Sequence, residues 1–474
     1  MSGSEGGLWD HEHAAAVDDG AGERLEFEGS GATGVPVMLR SRGGLDGSPT
    51  PVPVLPATRP LTAPPGFHVM AKPTGAICNL DCRYCFYLEK ESLYPGDRFR
   101  MGDEVLENYI RQVIEAQTAS VVTISWQGGE PTLMGLRFFE RAVEIAQRYK
   151  RPGQRLQHTI QTNATLLTED WARFLARHDF LVGVSIDGPP ALHDAYRVDK
   201  RGRPTYARVA RGLELLRSRN VEYNILCTVH AANVDRPGEV YRFLRDDCGA
   251  SFIQFIRIVE HIPTDTKPWA VSERSVAAVD WGLFLAGVFD EWVVRDVGKV
   301  FVQSFDAALA SFAGVPPGSC VFAETCGDGV ALEHNGDVYC CDHFVDAEHL
   351  LGNIRDTHLV ELVGSTRQRS FGLAKRDTLP SYCLECDVLF ACWGECPKNR
   401  FIISPDGETG LNYLCAGYKD FFHHVGGSMR LMVDLLRQQR LPAEIMSIFA
   451  STPRNDPCPC GSGRKVKLCH RGSR

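Results

Sequence analysis

The sequence lacks a long hydrophobic run and an excess of positive charge. Its 474 residues contain no uninterrupted apolar stretch of the roughly 20 residues that a membrane-spanning helix needs. The amino-terminal segment also lacks the basic start and apolar core of a signal peptide. A formal net charge of -8 argues against an extended nucleic-acid-binding surface. We therefore expect a cytoplasmic protein that binds neither a membrane nor nucleic acid.

Cysteine, by contrast, is abundant and unevenly placed. Three of the 17 cysteines fall within residues 78–85, nine within 320–415 and three within 458–469, and only Cys227 and Cys248 stand apart. In a reducing compartment thiols are kept from pairing, so clustered cysteines indicate metal ligands. We interpret the two isolated cysteines as ordinary buried or loop thiols.

The first cluster, CNLDCRYC, lacks a fourth cysteine. A closed zinc site takes four protein ligands, and an iron–sulfur cluster usually takes four thiolates. Cys78, Cys82 and Cys85 therefore predict a metal centre with one open coordination position, where chemistry can take place.

Alternating strand and helix patterns follow a Gly- and Pro-rich arm of residues 1–64, which we interpret as disordered. Strict alternation produces right-handed parallel units, and about six of them fit an α/β barrel or partial (β/α)6 barrel better than most alternatives. The six predicted strands are residues 67–72, 121–126, 156–162, 181–187, 221–229 and 252–259.

Polar motifs follow the first four predicted strands. The cysteine trio comes after the first strand, QGGEP (127–131) after the second, QTN (161–163) after the third and SIDG (185–188) after the fourth. The carboxyl ends of parallel strands meet at one rim, where the chemistry of barrels takes place. Each motif alone is typical of a turn, but together they predict one active site.

The CxxxCxxC spacing, with an aromatic residue before the last cysteine and GGEP after the next strand, resembles the radical S-adenosylmethionine enzymes. The resemblance implies that the trio holds a four-iron, four-sulfur cluster whose fourth iron binds S-adenosylmethionine. The cofactor then supplies a radical that removes unactivated hydrogens.

The same resemblance implies roles for residues around the trio. Arg197 would bind the carboxylate of S-adenosylmethionine through its planar fork, although a solvated helix charge is the alternative for this residue. Tyr87 would contact the substrate. The residues implied for the cofactor are Tyr84, Gln127, Gly128, Gly129, Glu130, Ser185 and Arg197.

The cysteines of residues 320–415 resemble the SPASM extension, which houses two auxiliary four-iron clusters, although their spacings alone also fit a zinc ribbon. Asn-Gly within ALEHNGDVYCCDHF predicts a hairpin, in which the neighbours Cys340 and Cys341 face opposite sides. The resemblance selects Cys341 as the ligand. It implies one set of Cys320, Cys326, Cys341 and Cys396 and another of Cys383, Cys386, Cys392 and Cys415.

The stretches CNLDCRYCFYLEK, QGGEPTL, SIDGP and GDVYCCDHFV together resemble the anaerobic sulfatase-maturating enzymes, over residues 66–425. The resemblance implies that a cysteine or serine of a sulfatase is oxidised to formylglycine. Asp342 would be the base, and a flavodoxin- or ferredoxin-type protein the reductant. Two alternatives are a SPASM enzyme that modifies another peptide and a non-enzymatic iron–sulfur carrier or zinc scaffold.

The carboxyl-terminal stretch PRNDPCPCGSGRKVKLCHRG resembles the SEC-C motif, after a predicted helical stretch of residues 427–437. The resemblance implies zinc bound by Cys458, Cys460, Cys469 and His470, and a surface for a protein partner. The predicted domains are the arm (1–64), the barrel (65–310), the SPASM domain (311–425), a helical linker (426–450) and the zinc motif (451–474).

Overall fold

The computed structural model describes residues 63–64, 66–262 and 269–470, so the predicted arm lies outside the described residues except for its last two. The strands are β1 (His68–Lys72), β2 (Val121–Trp126), β3 (Arg155–Thr162), β4 (Leu181–Ser185), β5 (Tyr223–Val229), β6 (Phe252–Arg257), β7 (His261–Ile262), β8 (Ala270–Val271), β9 (Phe301–Val302), β10 (Gly329–Glu333), β11 (Asp337–Tyr339), β12 (Leu350–Asn353), β13 (Ile402–Ile403) and β14 (Thr409–Leu411). The helices are α1 (Asp103–Ala116), α2 (Leu136–Tyr149), α3 (Glu169–Arg177), α4 (Pro190–Asp194), α5 (Tyr206–Ser218), α6 (Pro237–Arg242), α7 (Ala278–Arg295), α8 (Gln303–Phe312), α9 (Leu359–Val363), α10 (Thr366–Asp377), α11 (Ser381–Leu384), α12 (Leu389–Cys392), α13 (Cys415–Arg437), α14 (Glu444–Ser451) and α15 (Val466–Cys469).

Ten of these strands form one sheet in the order β12-β11-β10-β1-β2-β3-β4-β5-β6-β9. Strands β1 to β6 are parallel neighbours in chain order, with helices crossing between them. This arrangement confirms the predicted partial (β/α)6 barrel. The barrel is extended at both ends, because β10 pairs in parallel with β1 and β9 pairs in parallel with β6.

Helix α1 illustrates why the crossover segments fold as helices. Val105, Tyr109 and Val113 recur at a spacing of four residues and are buried, while the opposite face of the helix is polar. The ring of Tyr109 lies edge-on to Trp126 of β2, with 5.3 Å between ring centroids. Each buried side chain of this kind contributes roughly 1.5–3 kcal/mol, so tertiary packing holds the helix on the sheet.

The predicted hairpin is confirmed by the antiparallel pairing of β10 with β11. Gly336, in the connecting turn, has a φ of +95°, which glycine adopts without strain. Because β10 also lies beside β1, the hairpin brings Cys341 and Asp342 to the carboxyl end of the barrel strands. Cys341 and Asp342 thus reach the rim that also carries the first cysteine trio.

Helix α13 begins at Cys415, so the prediction of a helical stretch from Gly427 was wrong about where the helix starts. It packs mainly on α7 and α8, and a Cβ on Gly417 would overlap the carbonyl oxygen of Ala278. The helix is continuous across residues 425 and 426, where a domain boundary was placed; the division into domains stays a prediction. Among the described residues, no helix has the length and apolar character to cross a membrane.

Candidate active site

The cysteine trio lies in the loop after β1. Backbone hydrogen bonds from Asp81 to Val198 (2.9 Å) and from Arg83 to Tyr196 (3.0 Å) fasten this loop to the segment after α4. Burial raises the pKa of the Cys78 thiol to about 12 and that of Cys82 to about 11. Burial thus disfavours the bare thiolates, and a bound cation would stabilise them as ligands.

The glycines of QGGEP allow two loops to touch at backbone level. Gly128 has a φ of +116°, and a Cβ there would lie 3.0 Å from the carbonyl oxygen of Gly75. A Cβ on Gly129 would overlap the carbonyl oxygen of Ile77, the residue before Cys78. The Gly129 amide donates to the Gly75 carbonyl (2.8 Å). The loop after β2 therefore supports the loop that carries the trio.

Glu130 ties the ends of β2 and β3 together. Its buried carboxylate accepts hydrogen bonds from the Thr132 hydroxyl (2.6 Å), the Thr162 hydroxyl (2.8 Å) and the Asn163 amide (2.8 Å). Burial raises the pKa of Glu130 despite these bonds. These hydrogen bonds of the Glu130 carboxylate hold the QGGEP loop against the QTN segment.

Arg197 is buried against Asp187, so it is not a solvated helix charge. Its Nε donates to Asp187 Oδ2 (2.9 Å), and the Tyr84 hydroxyl donates to the same oxygen. Burial by itself would raise the pKa of Asp187, but Arg197 and His230 hold it below its usual range. Ser185, nearby at the end of β4, accepts from Gln161 Nε2 (3.0 Å). Asp187, within SIDG, was not predicted as a site residue.

Lys72 joins three of the predicted site residues at the end of β1. Its Nζ donates to Gln127 Oε1 (2.8 Å), forms an ion pair with Asp342 and lies 4.6 Å from the ring centroid of Tyr87. Burial would raise the pKa of Asp342, but Lys72 and His343 hold it below its usual value. The sequence analysis missed Lys72; the available signal was a lysine at the end of an otherwise buried strand.

A cavity of about 710 Å³ runs through the barrel. Polar side chains from β2 to β6 face it, including Thr123, Gln157 and Gln254. At the carboxyl ends of the strands its wall is completed by Gln127 and by side chains from the cysteine-rich extension, namely Cys320, Cys326, Cys341, Asp342 and His343. The barrel and the extension therefore share one cavity.

The structure brings the first predicted auxiliary set together. Cys341 has Cys396 and Cys320 as its electrostatic neighbours, and Cys326 lies near Cys320. Cys340 is buried away from them, and its charged neighbours are Arg367 and Asp346. The loop that carries Cys320 is held by Lys375 of α10, whose Nζ donates to the carbonyl oxygens of Cys320 (2.6 Å) and Val321 (3.1 Å).

The second predicted set also comes together, because Cys383, Cys386, Cys392 and Cys415 line one small pocket. The chain before Cys396 uses three consecutive residues of positive φ, namely Trp393, Gly394 and Glu395. Arg400 stabilises this turn by donating to the carbonyl oxygens of Trp393 (2.6 Å) and Gly394 (2.9 Å). Sequence reasoning missed Arg400, because nothing local marks it.

The tail gathers Cys458, Cys460, Cys469 and His470 into one site. Cys458 Sγ lies 3.1 Å from His470 Nδ1, and Cys460 Sγ lies 3.6 Å from Cys469 Sγ. Among the described residues, this is the one group of three or more potential ligands whose atoms all lie within 4.8 Å of one another. The spacing of this group suits a single ion, whereas the other cysteine sets are wider.

Comparisons with known proteins agree with this architecture. A model of the radical SAM superfamily matches residues 73–244, a model of the SPASM iron–sulfur cluster-binding domain matches 320–387, and the SEC-C motif matches 454–472. The fold and the cysteine sets thus define a radical SAM enzyme with a SPASM extension.

Similar proteins indicate the family within this class of enzymes. A serine-type anaerobic sulfatase-maturating enzyme of Bacteroides thetaiotaomicron is 46% identical over 80% of this chain and 94% of the relative. A cysteine-type enzyme of Clostridium perfringens is 32% identical over 76% and 96%. The solved structure of native anSMEcpe with AdoMet and the Cp18Cys peptide bound has a TM-score of 0.70 at 31% identity, covering 78% of this chain and 99% of the other. The chain belongs to the family of anaerobic sulfatase-maturating enzymes, and the predicted family is confirmed.

Proposed function

We propose that this protein oxidises a serine or cysteine side chain of a sulfatase to formylglycine without oxygen. The observation that carries the proposal is the position of Asp342, which directly follows Cys341, faces the barrel cavity and is paired with Lys72. A carboxylate held there as an anion can accept the proton of a substrate hydroxyl or thiol. Serine is the favoured substrate, because the serine-type relative is the more similar of the two types compared.

The cysteine sets fit the iron–sulfur clusters of the family. Three thiols in one loop would leave one position of a four-iron cluster for another ligand. Each of the other two sets offers four thiols, and those of the second set line one small pocket. When bound, the first cluster and S-adenosylmethionine supply the radical that removes a hydrogen atom from the β carbon of the substrate. The residues proposed to hold S-adenosylmethionine are Tyr84, Gln127, Gly128, Gly129, Glu130, Ser185 and Arg197.

These residues would act in two ways. The backbones of Gly128 and Gly129 can approach the methionine part closely, because no side chain separates them from the loop of the trio. Glu130 would shape that loop through its bonds to Thr132, Thr162 and Asn163. Arg197 would present the guanidinium N–H groups that remain beyond its bonds to Asp187 and Thr228.

Tyr87 would orient the substrate side chain beside Asp342, since Lys72 contacts both residues. The proposal further includes a flavodoxin- or ferredoxin-type reductant and a cytoplasmic location. It also includes zinc in the carboxyl-terminal site. The zinc site would present a surface for a protein partner.

The decisive experiment is anaerobic reconstitution with iron, sulfide and S-adenosylmethionine, followed by mass spectrometry of peptides with the C/S-x-P/A-x-R pattern. The serine peptide should lose two hydrogens, whereas the cysteine peptide should lose two hydrogens and then exchange its sulfur for oxygen when water hydrolyses the thioaldehyde and releases hydrogen sulfide. Serine should be converted faster, and the alanine peptide should stay unchanged. If S-adenosylmethionine is cleaved but none of these peptides gains an aldehyde, the result would favour a SPASM enzyme that modifies another peptide. Absence of cofactor cleavage would favour a non-enzymatic carrier.

A further inference from the structure

A row of buried titratable side chains begins beside the cavity and ends at the surface. Glu333 is the last residue of β10 and the register partner of Lys72 at the end of β1. The carboxylate oxygen Oε1 of Glu333 accepts a hydrogen bond from the Tyr87 hydroxyl. Glu333 and Lys72 are each 1% exposed, so this end of the row is closed to solvent.

His334 continues the row towards the surface. Its Nδ1 lies 3.0 Å from Glu333 Oε2, and its Nε2 lies 3.2 Å from Asp97 Oδ1. The imidazole is buried, whereas the Asp97 side chain is 38% exposed and reaches solvent. An imidazole with a carboxylate at each nitrogen can accept a proton at one nitrogen and release another from the opposite one.

The packing around His334 keeps this row aligned. Gly75 has a φ of +50°, and a Cβ there would lie 2.9 Å from His334 Nδ1 and 3.2 Å from Glu333 Oε2. The rings of Phe99 and Tyr94 enclose the imidazole, with centroids at 4.8 and 5.2 Å. Burial by itself would lower the pKa of His334, but Glu333 and Asp97 raise it above its ordinary value. The buried imidazole can therefore carry a proton.

The proposed reaction releases a proton beside Lys72, a buried side chain at the rim of the barrel. When –CH2OH becomes –CHO, the side chain loses one hydrogen atom, one electron and one proton. The hydrogen atom and the electron go to the bound cofactors, whereas the proton is left to the protein. It has to reach solvent before the next substrate can be oxidised.

We propose that Glu333, His334 and Asp97 form a relay that carries this proton from the Lys72 end of the cavity to solvent. Lys72 links the relay to the cavity, because it contacts Gln127 and Asp342 and lies beside Glu333 in the sheet. Tyr87 orients the Glu333 carboxylate. The inference rests on the proposed function, which supplies the proton.

The test separates the first turnover from later ones in the anaerobic holoenzyme with excess serine peptide. Glu333→Gln and His334→Gln keep the approximate size of each side chain but interrupt the relay. The first equivalent of formylglycine should form at the parent rate. Later equivalents should form about 100-fold more slowly, the lower end of the effect of losing a positioned proton-transfer group.

Two further variants serve as a control and as a test of the exposed end of the relay. Tyr94→Phe is the matched control, because it keeps the ring that packs on His334. It removes only the hydroxyl that contacts the Tyr339 hydroxyl (2.6 Å). The relay stays intact, so all turnovers should keep the parent rate. Asp97→Asn alters the exposed end, where misfolding is least expected. It should slow later turnovers, and a higher buffer concentration should restore them, because a mobile base can replace an exposed carboxylate.

The outcomes distinguish the relay from the proposed function. If the parent makes formylglycine and the three relay variants keep its rate in every turnover, the relay is wrong and the function stands. Equal slowing of first and later turnovers would also overturn the relay, since these residues would then only support the structure. A parent that oxidises no serine or cysteine peptide would overturn both. Melting temperature and S-adenosylmethionine binding, measured on each variant, should match the parent.

Discussion

Lys72 contacts Gln127, Asp342 and the ring of Tyr87 from one buried position. A lysine there is costly to bury unless it is paired, and Asp342 provides the partner. The pair in turn holds Asp342 as an anion at the cavity wall, which is the state that a proton acceptor requires. Under the proposed function, this one ion pair would decide whether radical formation leads to substrate oxidation.

The first prediction concerns Asp342. Asp342→Asn should still release 5'-deoxyadenosine but form aldehyde about 10²- to 10⁴-fold more slowly, because it removes a general base and leaves the cysteine trio intact. The measurement is the ratio of aldehyde to 5'-deoxyadenosine on one serine peptide. Asp346→Asn, in which the amide can still cap the following turn, is the control. An unchanged ratio in the Asp342 variant would show that another group accepts the proton.

The second prediction concerns the ion pair itself. Lys72→Met should lower the free energy of unfolding by about 3 kcal/mol, because it leaves Asp342 in a buried position without its partner. The double variant Lys72→Met with Asp342→Asn should recover part of this loss. Denaturant unfolding of all four proteins gives the coupling free energy. Additive effects of the two substitutions would mean that the pair contributes nothing to stability.

At the scale of elements, the loops after β1 and β2 meet at backbone level, and the hairpin of β10 and β11 extends the barrel on the other side of β1. Helix α10 and Arg400 then hold the loops that carry the auxiliary cysteines. Ligands from distant parts of the chain are placed by a few close contacts between loops. These contacts should tolerate little added volume.

The third prediction tests such a contact. A Cβ on Gly129 would overlap the Ile77 carbonyl oxygen, so Gly129→Ala should displace the loop of Cys78 and reduce the bound iron by about four atoms, one cluster. Gly102→Ala is the control, since no atom lies within 4 Å of a Cβ there and its φ is negative. Iron analysis and 5'-deoxyadenosine formation are the measurements. Full iron content in the Gly129 variant would contradict the expectation.

At the scale of the whole molecule, barrel, extension and tail share packing surfaces. Helix α13 carries Cys415 at its first turn, and Gly427 farther along it is so close to Cys460 that a Cβ would overlap the Cys460 carbonyl oxygen. The His470 ring stacks on Phe449 of α14, with 4.3 Å between centroids. The tail is thus docked on the helices that support the second auxiliary set.

The fourth prediction concerns metal content. The reconstituted protein should hold about twelve iron atoms, four for each of three clusters. Replacing Cys78, Cys82 and Cys85 together by alanine should remove about four of them and abolish 5'-deoxyadenosine formation. Cys227→Ala, at a buried isolated thiol, is the control and should keep all the iron. Cofactor cleavage that persists in the triple variant would refute the assignment of the trio.

The fifth prediction concerns the tail. Deleting residues 451–474 should remove one zinc and lower the melting temperature, because the deletion exposes the faces of α13 and α14 that the tail covers. Peptide oxidation should stay near the parent level, because the tail lies outside the cavity. Cys469→Ser tests zinc loss without deletion. Iron in the tail site, or complete loss of cofactor cleavage after deletion, would contradict this separation.

The sequence by itself determined the features that depend on local pattern. Alternating strand and helix periods specify the barrel, Asn-Gly specifies the hairpin, and the spacing of Cys78, Cys82 and Cys85 indicates a metal centre with an open position. The tertiary structure decided which distant residues meet. Lys72 forms an ion pair with Asp342 and lies beside Glu333 because β10 pairs with β1. Such contacts depend on strand register and packing between segments hundreds of residues apart, which no local pattern encodes.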